Sequence, residues 1–156
     1  LYWKEAPVTH FAPAPPLDKQ SPFLEQTGIR AIRLLQERGL YGALEALRDP
    51  SQGFLDLKGS GLHVIGITRE GTVFLDNSGQ MKAGMDMSGI LDLAGKKMLP
   101  RFLEAAEGKN GKIVQSTGAW PHPGTHQTGA MTAWCGMLTD DDAVCALQWE
   151  NKGDPQ

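Results

Sequence analysis

The segment of residues 62–92 constrains the fold of this chain more than any other part of its sequence. It begins with two short runs, residues 62–68 and 72–75, that are mostly apolar and rich in β-branched side chains. The three residues between the runs end in Gly71. Two such runs separated by a short glycine-containing turn predict a β-hairpin.

A loop rich in glycine and methionine follows the predicted hairpin. Gly79, Gly84 and Gly89 interrupt residues 79–92, so this stretch is not expected to form a regular helix or strand. It ends at residues 92–96, Asp-Leu-Ala-Gly-Lys, which predict a turn before a helix. The sequence therefore predicts a hairpin, a loop that covers it and a helix, in that order.

A long helix is predicted before the hairpin. Ser21 is expected as its N-cap and Pro22 as its first helical residue, because both residue types favour those positions. Gly39 is a plausible C-terminal cap, and residues 40–47 predict a second, short helix. The buried face of the long helix is indicated by apolar residues at helical spacing, namely Leu24, Ile29, Ile32 and Leu35.

The second half of the chain completes a mixed fold. Residues 98–107 predict a helix, and Pro100 must lie in its first turn because a proline further along would disrupt it. Residues 112–115 begin a strand, and residues 130–138 and 143–150 predict two more. We expect an α+β fold with a five-stranded antiparallel sheet. The long helix would cover one face, and the loop with the short helix of residues 98–107 would partly cover the other.

The two cysteines lie on the last two predicted strands. If residues 139–141 form the connecting loop, Leu138 stands opposite Asp142 and Cys135 stands opposite Cys145. Directly opposite residues of an antiparallel pair are close enough for a disulfide. We predict a Cys135–Cys145 bridge if the protein is exported, and two small buried thiols if it is not.

Composition and charge restrict the function classes. The formal net charge is −3 and no basic stripe is visible, which argues against nucleic-acid binding. No apolar run reaches membrane-spanning length, so we expect no membrane insertion of this segment. Because the chain opens on Leu1, we expect a mature product or a trimmed piece that lacks its leader or membrane anchor.

The domain organisation is predicted from the two ends. Residues 1–20 are proline-rich, and Trp3 and Phe11 indicate that this arm docks on the rest of the protein. Residues 21–151 are predicted to form a single domain. Residues 152–156 form a polar tail.

Four residues on or before the last strands are candidates for binding a small molecule. Trp120 and Trp134 offer large apolar rings with an indole N–H, although plain core packing is the alternative. Thr132 and Gln148 would supply hydrogen-bonding groups on the face opposite the cysteines. Packing against a helix is the alternative for that face.

The 79–92 loop carries further candidates. Lys82 could bind an anionic group, although a lysine exposed to solvent is the alternative. Met85 could line the ligand site from this loop, although adaptable apolar packing is the alternative. A second function, a periplasmic metal- or haem-binding protein, would use soft thioethers and imidazoles. Its candidate ligands are Met81, Met85, Met87, His122 and His126.

The sequence offers little for catalysis. It contains no G-x-S-x-G, no H-E-x-x-H and no phosphate-cradling glycine loop. His63 lies in a predicted strand with Ile65 and Ile67 on its face, which favours a buried, hydrogen-bonded histidine. We therefore expect a non-enzymatic protein with no metal and no cofactor.

Several short motifs follow one another in a characteristic order between residues 22 and 150. They are ERGLYGAL at 37–44, the hairpin HVIGITREGTVFLD, Asp92-x-x-Gly95-Lys96, Gly111-Lys112, Trp120-Pro121-His122-Pro123 and the closing strand pair. In this order they resemble the motifs of the single Cache domain family of extracytoplasmic sensors.

The resemblance implies a PAS-like fold and a small-molecule ligand between the sheet and the 79–92 loop. It also implies signal transduction or chemotaxis through a membrane receptor or kinase partner, in the periplasm or outside the cell. The protein would be either part of a receptor or free-standing. Two positions differ from the family pattern. Residues 130–135 lack the family's Lys and Tyr, and Asp76-Asn77 replaces its His-Pro.

Overall fold

The computed structural model describes residues 11–13, 22–92, 94–108, 112–117, 123–125 and 129–149. These described residues form two α-helices, one short 3-10 helix and five strands. In chain order these are α1 (Phe23–Arg48), the 3-10 helix (Pro50–Gln52), β1 (His63–Thr68), β2 (Val73–Asp76), α2 (Met98–Glu107), β3 (Lys112–Thr117), β4 (Ala130–Met137) and β5 (Asp142–Trp149).

The five strands form one antiparallel sheet in the order β2-β1-β5-β4-β3. The predicted hairpin supplies one edge, and its turn is closed by a hydrogen bond of 2.9 Å from Thr68 N to Thr72 O. Gly71 takes a φ of 96° in that turn, a backbone conformation that favours glycine. The predicted α+β fold and five-stranded sheet are therefore confirmed.

Each face of the sheet has its own core. The helix-side core packs α1 against the sheet, and the loop-side core packs α2 and the 79–92 loop against the opposite face. This division follows from the alternation of side chains along each strand. Buried members of the helix-side core include Ile29, Ile32, Leu35, Val64, Trp134 and Val144, and those of the loop-side core include Ile65, Met87, Phe102, Cys135, Cys145 and Leu147.

Helix α1 bends at Gly39. This glycine has φ 74° and ψ 176°, so the helical geometry stops there and resumes at the next residue. The break predicted at Gly39 is confirmed, whereas the predicted start of the helix was one residue too early. Pro22 is the N-cap, not the first helical residue, and its carbonyl accepts from Gln26 N at 3.0 Å.

Part of the N-terminal arm contacts the domain. Phe11 pairs with Thr139 in an isolated bridge, and Ala12 N donates to Leu138 O at 2.9 Å. The Gln36 side chain on α1 donates to Ala12 O at 2.7 Å. Residues 11–13 thus dock where α1 meets the β4–β5 turn, as their aromatic residue indicated, while Trp3 lies outside the described residues.

The closing strand pair has the predicted register. Leu138 N donates to Asp142 O at 2.8 Å, so residues 139–141 form the loop. Cys135 stands opposite Cys145, with 4.1 Å between their Cα atoms, and the two form a disulfide. The bridge is fully buried and lies on the loop-side face of the sheet.

Candidate functional site

The 79–92 loop is fixed at its start by the carboxylate that ends β2. Asp76 is buried, and its Oδ1 accepts from Ser78 N at 2.9 Å and from Ser78 Oγ at 2.6 Å. Its Oδ2 accepts from Met81 N at 2.9 Å. These hydrogen bonds satisfy the buried carboxylate and direct the chain back over the sheet.

The middle of the loop pairs with the hairpin. Met87 N donates to Gly71 O at 2.9 Å. Val73 N donates to Met85 O at 2.8 Å, and Val73 O accepts from Gly84 N at 2.7 Å. Because β2 is an edge strand, its outer backbone groups would otherwise be unpaired. The loop therefore covers the edge of the sheet as well as its face.

The end of the loop is joined to α2. Asp92 Oδ1 accepts from Ala94 N at 2.9 Å and from Lys96 N at 2.8 Å, which forms the turn that the sequence predicted. Asp92 Oδ2 accepts from Arg101 Nη1 on α2 at 3.1 Å. Loop and helix are also joined by a hydrogen bond from Met98 N to Ile90 O. A shift of the loop would therefore alter the hydrogen bonds that join it to α2.

The loop inserts two of its three methionines into the loop-side core. Met81 and Met87 are buried there, whereas the side chain of Met85 is exposed, at 45%. The three thioethers, all of them described, therefore do not share one environment. A Cu(I) site made from the three, as the alternative function would require, does not match this arrangement.

The tip of the loop is polar and exposed. Lys82 is exposed, and its backbone N donates to Met85 Sδ at 3.2 Å. Asp86 Oδ1 accepts from Ser88 N at 2.9 Å, and this hydrogen bond lowers the pKa of the Asp86 carboxyl. Lys82 and Met85, two of the predicted ligand contacts, thus lie on the solvent side of the loop.

A pair of stacked rings lies on the loop-side face of the sheet. The rings of His63 and Trp149 stack with centroids 5.6 Å apart and an interplanar angle of 15°. His63 is fully buried, and its Nδ1 lies 2.9 Å from Gly61 O, as expected for a hydrogen-bonded core histidine. Trp149 was not among the predicted site residues, although its spacing of four from Cys145 places it on the loop-side face.

Trp134 lies on the other face of the sheet, away from the loop. Side chains alternate along β4, so when Cys135 faces the loop, Trp134 and Thr132 face α1. Gln148 stands directly opposite Thr132 and shares its face. The sequence-based grouping of these residues with the 79–92 loop was therefore wrong, because one sheet separates them.

Trp134 fills a space that small residues leave for it. Its side chain is 1% exposed and belongs to the helix-side core. A Cβ added at Gly28 on α1 would lie 2.2 Å from Trp134 Cε3, and one added at Gly136 would lie 2.7 Å from Cη2. Core packing, the alternative stated for this tryptophan, is what the structure shows.

Gly28→Ala is therefore expected to destabilise the protein. Overpacking costs about 1–3 kcal/mol, whereas replacing a helical glycine by alanine gains about 1 kcal/mol in helix propensity. The net change is therefore expected to be destabilising. Urea unfolding would measure the difference. Gly42→Ala, on the exposed face of the same helix, is the matched control and should stay within about 1 kcal/mol of the wild type. Equal unfolding free energies for the two variants would contradict the fit of Trp134 against α1.

The remaining predicted residues fall elsewhere. Trp120, His122 and His126 lie outside the described residues. Among the described residues, no group of three or more His, Cys, Asp or Glu side chains could hold a metal ion. In the same part of the chain, no helix is both long and apolar enough to cross a bilayer.

Two solved structures are similar to this chain over most of its length. One is a methyl-accepting chemotaxis protein from Vibrio parahaemolyticus RIMD 2210633, with a TM-score of 0.56, 16% identity, and coverage of 76% of this chain and 79% of the other. The second is a periplasmic sensor domain of a chemotaxis protein, with a TM-score of 0.55, 22% identity, and coverage of 81% and 85%.

No protein-family model and no curated protein sequence matches the chain. At these identities the two structural neighbours establish the fold alone. The chain has the PAS-like α+β fold of these sensor domains.

Proposed function

We propose that this protein is an extracytoplasmic sensor domain of the single Cache type that binds a small molecule between its sheet and the 79–92 loop. One observation carries the proposal. In a fold shared with periplasmic sensor domains, a loop that lacks regular structure covers an apolar sheet face and is bonded directly to the next helix.

The disulfide supports a location outside the cytoplasm. Disulfides persist in oxidising compartments such as the periplasm and are rare in the cytosol. The Cys135–Cys145 bridge joins β4 to β5 and is buried within the loop-side core. It cross-links β4 and β5 beneath the loop, so we propose that the strands stay fixed and that the loop changes position when a ligand binds.

The loop is suited to opening because of how it is held. Its ends are anchored by Asp76 and Asp92, and backbone hydrogen bonds pair its middle with the hairpin. The buried side chains that it places in the core are those of Met81 and Met87. Methionine is unbranched and polarizable, and it adapts to altered surroundings better than branched side chains do. A ligand could therefore replace the contacts of these two thioethers without breaking the hydrogen bonds of Asp76 and Asp92.

The chemistry of the face indicates the kind of ligand. The loop-side core carries aliphatic side chains, the thioethers of Met81, Met87, Met98 and Met131, and the stacked rings of His63 and Trp149. A small molecule with an apolar or aromatic body would gain most from these surfaces. Lys82 and Met85 lie on the solvent side of the loop, and they are proposed to turn inward and contact the ligand when it binds. Trp120 remains a proposed contact as well.

Signalling would follow from a population shift. A ligand that binds one loop position better than another favours that position by its differential affinity. Because Met98 N bonds to Ile90 O and Arg101 bonds to Asp92, a new loop position changes the surroundings of α2. We propose that a membrane receptor or kinase partner reads this change, and that the protein performs no catalysis itself.

A thermal-shift screen against small acids, amines, purines and metals would test the proposal. A ligand that binds the native state alone stabilises it by about 2.7 kcal/mol at a hundredfold excess over Kd. At least one organic compound is expected to raise the unfolding temperature. A rise with copper and with no organic compound would contradict the proposal and favour the metal-binding alternative.

Two matched variants would locate the binding of any compound found. Met87→Ala and Leu35→Ala each remove a fully buried side chain, the first from the loop-side core and the second from the helix-side core. Both should destabilise the protein by about 2–5 kcal/mol. Only Met87→Ala should change the affinity, by about tenfold for a difference of about 1.4 kcal/mol. Equal affinities of the two variants, measured by calorimetry below their unfolding temperatures, would place the ligand elsewhere.

A further inference from the structure

A second concave surface lies on the outside of α1, on the opposite side of the molecule from the loop. It is a cleft of about 220 Å³, formed where the helix bends at Gly39. The helical segments before and after the bend and the turn that follows α1 all contribute to it. Its lining includes Arg30, Arg33, Glu37, Arg38, Gln52 and Phe54.

Arg30 is held in place within this cleft. Its Nη2 donates to Gln52 O at 2.9 Å, and its guanidinium carbon lies 4.5 Å above the centre of the Phe54 ring. A Cβ added at Gly53 would come within 3.3 Å of Nη1, so the glycine lets the backbone pass close to the guanidinium. A guanidinium fixed in this way loses little freedom when it binds a further group.

The cleft is positively charged in an acidic protein. Three arginines and one glutamate line it, so its formal charge is 3 − 1 = +2, against −3 for the whole chain. Phe54 and Leu34 add apolar wall to the same space. Clustered positive charge in a concavity raises the local concentration of anions.

We propose that this cleft binds a small organic anion through a carboxylate or phosphate group, with Arg30 as its principal contact. The guanidinium fork matches both groups bidentately, and the Phe54 ring holds the fork in position. The volume fits a ligand smaller than a typical drug-sized molecule. Such a ligand would bridge the two segments of α1 and the 50–54 turn, which would stabilise the bend at Gly39. This site is independent of the one proposed under the 79–92 loop.

Titrations of the full chain with inorganic phosphate, succinate and benzoate, at constant ionic strength, would test this site. The Nε–H NMR signal of Arg30, assigned by its loss in Arg30→Lys, is expected to shift saturably with at least one of the three. Tighter binding of phosphate would identify a phosphate ligand. Tighter binding of either carboxylate would identify a carboxylate ligand, and a preference for benzoate over succinate would indicate contact with the apolar wall of the cleft.

Two lysine variants provide the control, because each keeps the charge and loses the guanidinium fork. Arg30→Lys should weaken binding at least tenfold, whereas Arg48→Lys, exposed on the same helix outside the cleft, should leave the affinity unchanged. The proposal is overturned if none of the three anions shifts the Nε–H signal of Arg30 saturably. An equal response to sodium chloride, or unchanged affinity in Arg30→Lys, would overturn it as well.

Discussion

Asn77→Ala is expected to lower the free energy of unfolding by about 3–5 kcal/mol, since each buried backbone group left without its hydrogen bond costs about 1–3 kcal/mol. The side chain of Asn77 is buried and bonds to three parts of the chain. Its Oδ1 accepts from Val64 N at 2.8 Å, and its Nδ2 donates to Leu47 O at 2.7 Å and to Phe54 O at 3.0 Å.

These bonds join the end of α1, the segment after it and β1. Equilibrium urea unfolding, followed by far-UV circular dichroism, would measure the loss. A cost below about 1 kcal/mol would mean that water replaces the amide and that the side chain does not hold these elements together.

Asn77→Asp keeps the shape of the side chain and removes the hydrogen-bond donors of Nδ2. The aspartate keeps an acceptor for Val64 N but turns a second oxygen towards the carbonyls of Leu47 and Phe54. We expect it to destabilise the protein at neutral pH at least as much as alanine does, because a buried carboxylate there meets two acceptors. Its folded-state pKa should be raised, so stability should recover as the pH falls and the acid becomes protonated. Full stability of this variant at neutral pH would contradict the role of the two donated hydrogen bonds.

Removal of the disulfide has the second large expected effect. The double variant Cys135→Ala/Cys145→Ala should lose about 2–4 kcal/mol, chiefly because the unfolded chain regains the freedom that the cross-link removes. Urea unfolding with and without reductant would measure it. Reductant should destabilise the wild-type protein to a similar extent and should leave the double variant unchanged.

A thiol count provides the independent check on this bridge. The denatured, unreduced wild-type protein should show no titratable thiol, because both cysteines are paired. Two titratable thiols in protein from an oxidising compartment would contradict the bridge. That result would also remove the main chemical support for a location outside the cytoplasm.

Local patterns predicted most of the fold. The hairpin, α2 and the register of Cys135 and Cys145 each depend on residues close together in sequence, and each is confirmed. Gly39 was recognised as a break because its type alone permits the backbone that it adopts. Short-range geometry is therefore enough to predict these elements.

The candidate site was harder to predict because it depends on which sheet face meets which element. Alternation places Trp134 and Cys135 on opposite faces, but the sequence does not indicate which face the loop covers. The fit of Gly28 to Trp134 joins residues that are distant in sequence. A loop has no period, so nothing distinguished the buried Met81 and Met87 from the exposed Met85.

Asp76 and Asn77, at the end of β2, each make hydrogen bonds that hold other parts of the chain in place. Asp76 fixes the start of the 79–92 loop, and Asn77 joins α1 to β1. Both residues act through hydrogen bonds to backbone groups of the protein. The end of β2 therefore serves to anchor the loop and the helix.

Amide hydrogen exchange, measured with and without an organic compound from the screen, is the most direct test of ligand binding beneath the 79–92 loop. The amides of Met81, Met85, Met87 and Ile90 bond within the loop or to the hairpin, so they report its opening. Binding there should slow their exchange and leave the amides of residues 30–38 on α1 unchanged. Slower exchange confined to α1, with no change in the loop, would contradict the account.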